Sequence, residues 1–73
     1  MAKSFYQYLM KYRNVEPKHE IEEFANHAYL DHTFPKLADD YHQISSYLEM
    51  NGDYISSMKV FDRAWELYLS EER

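Results

Sequence analysis

The groups most able to do chemistry in this chain are its histidines and acids, and their spacing says little for catalysis. His27 and Asp31 stand four apart, which on a helix puts them on one face, and His32 follows directly. A metal site needs three or four such groups converging, and here spacing argues for only two. His19 and His42 stand alone. The paired carboxylates Glu22–Glu23 and Asp39–Asp40 are adjacent in sequence. Adjacent helical side chains point apart, so they do not form an acid–base dyad. Asp39 or Asp40 reads better as a helix cap, and Glu22–Glu23 as a solvated face near a helix N-terminus. There is no cysteine nucleophile, glycine-rich phosphate loop or G-x-S-x-G elbow. The sequence therefore predicts no enzyme, no cofactor and no metal.

A second constellation is aromatic and basic. Ser4 to Arg13 reads S-F-Y-Q-Y-L-M-K-Y-R. Phe5, Tyr8, Leu9 and Tyr12 fall at i, i+3, i+4 and i+7, one stripe of a helix. Tyr6, Met10 and Arg13 lie on the neighbouring face. Tyrosines beside Lys11 and Arg13 can stack on bases, which raises nucleic-acid binding. So few positive charges would give weak, salt-sensitive binding.

The elements that position these groups are helical. Ser4 caps a first helix ending near Arg13. Pro17 suits the first position of a second helix, with Glu20, Glu22 and Glu23 in its N-terminal half. Ile21, Phe24, Ala25 and Ala28 repeat the helical stripe. Residues 31–39 form a loop whose Phe34 and Leu37 reach the core. Asp39 or Asp40 caps a third helix, with Tyr41, Ile44 and Leu48 inward. Gly52 closes it in the left-handed conformation. Asp53 caps a long last helix, with Met58, Phe61, Trp65, Tyr68 and Leu69 inward. Val60 and Leu67 lie nearly opposite that stripe, with Arg63 between them, and would add an outward apolar strip beside Tyr6 and Met10.

The bulk numbers agree with a small helical domain. The chain has 73 residues, which allows one core and predicts a single domain over 1–73, ordered from about residue 4 to 69. Eight Tyr, four Phe and one Trp offset the small size, because large rings bury much area. No disulfide or cysteine-based zinc site is available. The lack of a secretory signal or membrane-spanning run predicts a cytoplasmic protein without membrane contact. The net charge of −5 is uneven. Lys3, Lys11, Arg13 and Lys18 against Glu16 give residues 1–18 a local +3, and residues 19–58 carry −7. Overall acidity argues against a protein whose main task is coating nucleic acid.

Four blocks, S-F-Y-Q-Y-L-M-K-Y-R, E-F-A-N-H-A-Y-L-D-H-T-F-P-K, D-Y-H-Q-I-S-S-Y-L-E and V-F-D-R-A-W-E-L-Y, resemble the YozE-like family of small bacterial proteins. The resemblance covers roughly Ser4 to Tyr68. It implies an all-α, compact four- to five-helix bundle similar to the sterile alpha motif (SAM) fold. It implies no catalytic residue or ligand. SAM-like folds serve protein association and, in some cases, RNA or DNA binding. The sequence thus predicts a non-enzymatic protein-interaction module, whose basic N-terminal end meets an acidic surface of a partner or, weakly, of a second copy. The expected surface is Tyr6, Met10, Lys11, Arg13, Val60, Arg63 and Leu67. The alternative is a weak nucleic-acid binder using the same basic end.

Overall fold

The computed structural model describes residues 3–38 and 40–72. Ser4 starts the first helix, α1 (Phe5–Met10). Its hydroxyl accepts from the Gln7 N–H at 3.2 Å, and the Gln7 side chain accepts from the Ser4 N–H at 3.1 Å. This reciprocal box satisfies two donors that a helix start leaves unpaired. The helix is shorter than its stripe suggests. After Met10 the chain tightens into three-residue bonds, Tyr12 N–H to Leu9 O and Arg13 N–H to Met10 O.

The second helix, α2 (Glu20–Leu30), begins later than expected, and Pro17 lies outside it. The cause is Glu22. Its carboxylate accepts from the Lys18 N–H at 2.7 Å and stands 3.3 Å from the His19 ring. Held this way, residues 17–19 lead into the helix rather than forming its first turn. Ile21, Phe24, Ala25 and Ala28 are buried, as their spacing predicts.

In the loop after α2, Phe34 enters the core but Leu37 does not; Leu37 is 88% exposed. Asp40 caps α3 (Tyr41–Asn51) by accepting from the Gln43 N–H. The alternative cap, Asp39, lies outside the described residues. Ile44 and Leu48 are buried. Tyr41 instead lies over the edge of the core. Its ring stacks on Phe61 at 5.2 Å and its hydroxyl donates to Asp62, a polar end that keeps the residue exposed.

Gly52 ends α3, but not by left-handed geometry: its φ is −96°. A Cβ there would lie 2.7 Å from the Leu48 carbonyl oxygen and 3.0 Å from Leu48 Cδ2. The glycine is needed for close approach, since its own N–H bonds that carbonyl at 2.8 Å. Gly52→Val is therefore expected to destabilise by about 1–3 kcal/mol, the usual cost of overpacking, and so to lower the denaturant midpoint. Ser70→Val, on an exposed helix site, should cost about 0.5 kcal/mol. Equal midpoints for the two variants would contradict the close-approach account.

Asp53 does not cap the last helix. α4 (Met58–Glu72) starts after Ser57, whose hydroxyl accepts from the Lys59 N–H. Residues 53–57 are held off the helix axis because the Tyr54 hydroxyl is tied to Asp31 at the end of α2. Helix α4 packs against α1, α2 and α3 together. Three neighbours bury a wider arc than one stripe covers. Val60 is consequently core, at 3% exposure, and not part of an outward strip. Phe61, Ala64, Trp65 and Tyr68 are buried with it, Met58 is half-buried, and Leu69 faces solvent. Among the described residues there are four helices and no strand. None of these helices is long and apolar enough to cross a membrane.

Candidate functional site

The residues of the expected surface are dispersed in the structure. Tyr6 packs half-buried on Phe34 at 5.5 Å, with the Lys36 ammonium 5.7 Å from its ring. Met10 packs half-buried against the core. The Lys11 ammonium lies 4.5 Å from the Tyr8 ring, 3.4 Å from Glu71 and 3.7 Å from Glu72. The end of α4 thus compensates part of the N-terminal positive charge. Val60 is inside the core. Arg63 and Leu67 do meet, in a shallow cleft of about 490 Å³ with Tyr12, His19, Glu20 and Ile21.

Arg13 belongs to a different cleft, of about 480 Å³, lined also by Asn14, Val15, Asn26, Tyr29 and Leu30. The two clefts share the α1–α2 connection, which supplies Tyr12 to one and Arg13 to the other. In the second cleft the apolar groups are open to water: Val15 is 100% exposed, Leu30 67% and Tyr29 50%. Isolated exposed hydrophobes are ordinary; here three line one concavity and form a shared exposed apolar surface. The Arg13 guanidinium carbon sits 3.8 Å from the centroid of the Tyr29 ring. Tyrosine and arginine are among the side chains enriched where proteins meet.

The floor of this cleft is held rigidly. The Asn14 N–H donates to Asn26 Oδ1 at 3.1 Å, and Asn26 Nδ2 donates to the Asn14 carbonyl at 2.7 Å. This pair clamps the connection to the middle of α2. Asn14 Oδ1 also accepts from the Glu16 N–H. The backbone on both sides of Val15 is thereby pinned, and the side chain is presented rather than folded away.

Spacing did not reveal Val15, Tyr29 or Leu30. One signal was available. Tyr29 and Leu30 are consecutive large apolar residues at the end of α2, Tyr29 at the edge of the stripe of Ile21, Phe24, Ala25 and Ala28 and Leu30 on the opposite face.

The potential ligand cluster around His27 and Asp31 is engaged internally. Asp31 Oδ2 accepts from the Tyr47 hydroxyl at 2.5 Å and the Tyr54 hydroxyl at 2.9 Å. Its Oδ1 accepts from the Thr33 hydroxyl and N–H. Burial pushes the Asp31 pKa up, but these bonds together outweigh it and hold the carboxyl below its ordinary range. Burial, with the bond to Asp31, raises the hydroxyl pKa of both Tyr47 and Tyr54. His27 stacks on Tyr54 at 5.6 Å. The cluster joins the end of α2 to the following loop, α3 and the 53–57 segment. Among the described residues, no three histidine or acidic groups come together as metal ligands would.

Comparison with known proteins agrees with this architecture. A UPF0346 protein of Bacillus licheniformis is 68% identical over 71 residues, covering 97% of each chain. The UPF0346 protein YozE of Bacillus subtilis is 62% identical over 69 residues, covering 94% of this chain and 93% of its own. A UPF0346 protein of Pediococcus pentosaceus is 52% identical over 73 residues, covering 100% of this chain and 99% of its own. The family profile described as the YozE SAM-like fold matches residues 4–70, and the chain belongs to that family.

Proposed function

We propose that this protein is a small non-enzymatic module of the cytoplasm that binds a partner protein through the cleft of Arg13, Val15, Tyr29 and Leu30. The observation that carries this reading is the convergence of three exposed apolar side chains on one rigid concavity. Their burial against a partner supplies affinity without large rearrangement, because the Asn14–Asn26 clamp already orders the backbone. The nucleic-acid alternative draws on the basic N-terminal end. The pairing of Lys11 with Glu71 and Glu72 weakens that end as a phosphate-binding patch.

The test is a paired capture experiment with wild type and the double variant Val15→Ser, Leu30→Ser. Both sites are exposed, so each change should alter stability by no more than about 0.5 kcal/mol. At least one protein should be recovered with wild type and lost with the variant, at equal thermal melting. Identical capture by both would contradict the proposal.

A further inference from the structure

The chemistry of the cleft is two-sided, and that narrows the partner. One side is aliphatic, from Val15 and Leu30. The other is Arg13, at contact distance from the Tyr29 ring. At 3.8 Å from the ring centroid the guanidinium carbon is in cation–π contact with the tyrosine face. Stacking restrains the group without using its hydrogen-bond donors. Among the described residues, no carboxylate lies within ion-pair distance of Arg13, whereas Lys11 has two. Among the described residues Arg13 is therefore a cation held over a ring with no carboxylate partner, beside the exposed apolar surface of Val15 and Leu30.

Resting on the partner-protein reading above, we infer that the cleft takes an acidic segment of that partner. A carboxylate fills the fork of Arg13, and a neighbouring aliphatic side chain packs between Val15 and Leu30. The fork matches a carboxylate with two parallel hydrogen bonds, which a lysine could not form. A phosphorylated segment fits less well, because phosphate recognition draws on a cluster of arginines and this cleft is lined by one. A nucleic acid fits less well again, because a run of phosphates needs several cations along its track and this cleft is lined by one. Among the described residues Arg13 is the only charged side chain lining the cleft, and its sign favours an acidic segment over a basic one.

The test uses the full chain, labelled with 15N, and a capped pentapeptide alternating leucine and glutamate. The same peptide with glutamine for glutamate is the neutral control, and a thymidine 12-mer is the nucleic-acid control. The acidic peptide should shift the amides of Asn14, Val15, Tyr29 and Leu30. It should bind about fivefold tighter than the glutamine peptide, as expected for one well-oriented surface ion pair. Arg13→Gln should erase that difference. Should this variant perturb the fold, high salt on wild type serves instead and should erase the same difference.

Equal affinity for the two peptides, no shifts at millimolar peptide, or shifts produced by the thymidine 12-mer alone would overturn the inference. So would shifts at these amides on concentrating the protein without peptide, which would assign the cleft to a second copy. If the peptides fail while partner capture still depends on Val15 and Leu30, the acidic-segment inference falls and the interaction-module reading stands.

Discussion

Phe5→Ala is expected to leave the protein largely unfolded at room temperature. Phe5 is fully buried and sits where the core aromatics meet. Its ring centroid lies 5.4 Å from Phe61, 5.5 Å from Trp65, 5.7 Å from Tyr68 and 6.4 Å from Phe24. The contacts to Phe61 and Tyr68 are edge-on, the favoured geometry for ring pairs. Removing the ring breaks four aromatic contacts and opens a cavity shared by α1, α2 and α4. Phe→Ala in a core costs about 3–5 kcal/mol. A domain of this size has roughly 5 kcal/mol to lose. Circular dichroism should show most of the helical signal gone. A melting curve like that of wild type would show that these rings are not the main source of stability. Trp65, in contact with Phe5, Tyr41, Phe61 and Tyr68, should behave similarly as Trp65→Ala.

Asp31→Ala should destabilise by about 2–3 kcal/mol, because the Tyr47 and Tyr54 hydroxyls lose a charged acceptor. The milder Asp31→Asn isolates the charge. The carboxyl of Asp31 is held below its ordinary value of 3.8 in the folded protein. The stabilisation from its charge is therefore fully present above that value and is lost as pH falls through the lower, folded-state pKa. The stability gap between wild type and Asp31→Asn should be constant from neutrality to about pH 5, then shrink as pH falls below about 4. A gap independent of pH would contradict the charge-centred account. Tyr47 and Tyr54 act in the opposite direction. Their hydroxyl pKa values are raised above 10, so their contribution is present below pH 10 and fades as pH rises through the folded values.

Much of the fold is legible in the sequence because helical spacing reports burial directly. Phe5, Tyr8 and Leu9, and likewise Ile21, Phe24, Ala25 and Ala28, are buried where the stripe places them. The family resemblance supplied the helical architecture that spacing alone could not assemble. The departures have tertiary causes. Val60 is buried because α4 has three helical neighbours, and a sequence stripe describes contact with one. Pro17 suits a helix start, yet the reach of Glu22 to the Lys18 N–H delays it. Gly52 ends α3 as expected, but through proximity to Leu48 rather than a positive φ, a distinction that sequence does not encode. Arg13 was visible as part of a candidate surface. Its companions were not, because Val15 comes from a connection and Tyr29 and Leu30 from a helix end. Periodicity describes one element at a time, and this cleft is made where two meet.

The central claim is that a partner docks at Val15 and its neighbours. The most direct measurement is photo-crosslinking in living cells of the source organism, with a benzophenone amino acid placed at Val15 or at Leu37. The two sites are similarly exposed, at 100% and 88%. They lie at opposite ends of α1, since the loop holding Leu37 is bonded to Ser4 through the Lys36 carbonyl. The account predicts a discrete protein adduct from position 15 and none from position 37. Adducts of equal yield from both sites, or from position 37 alone, would contradict it.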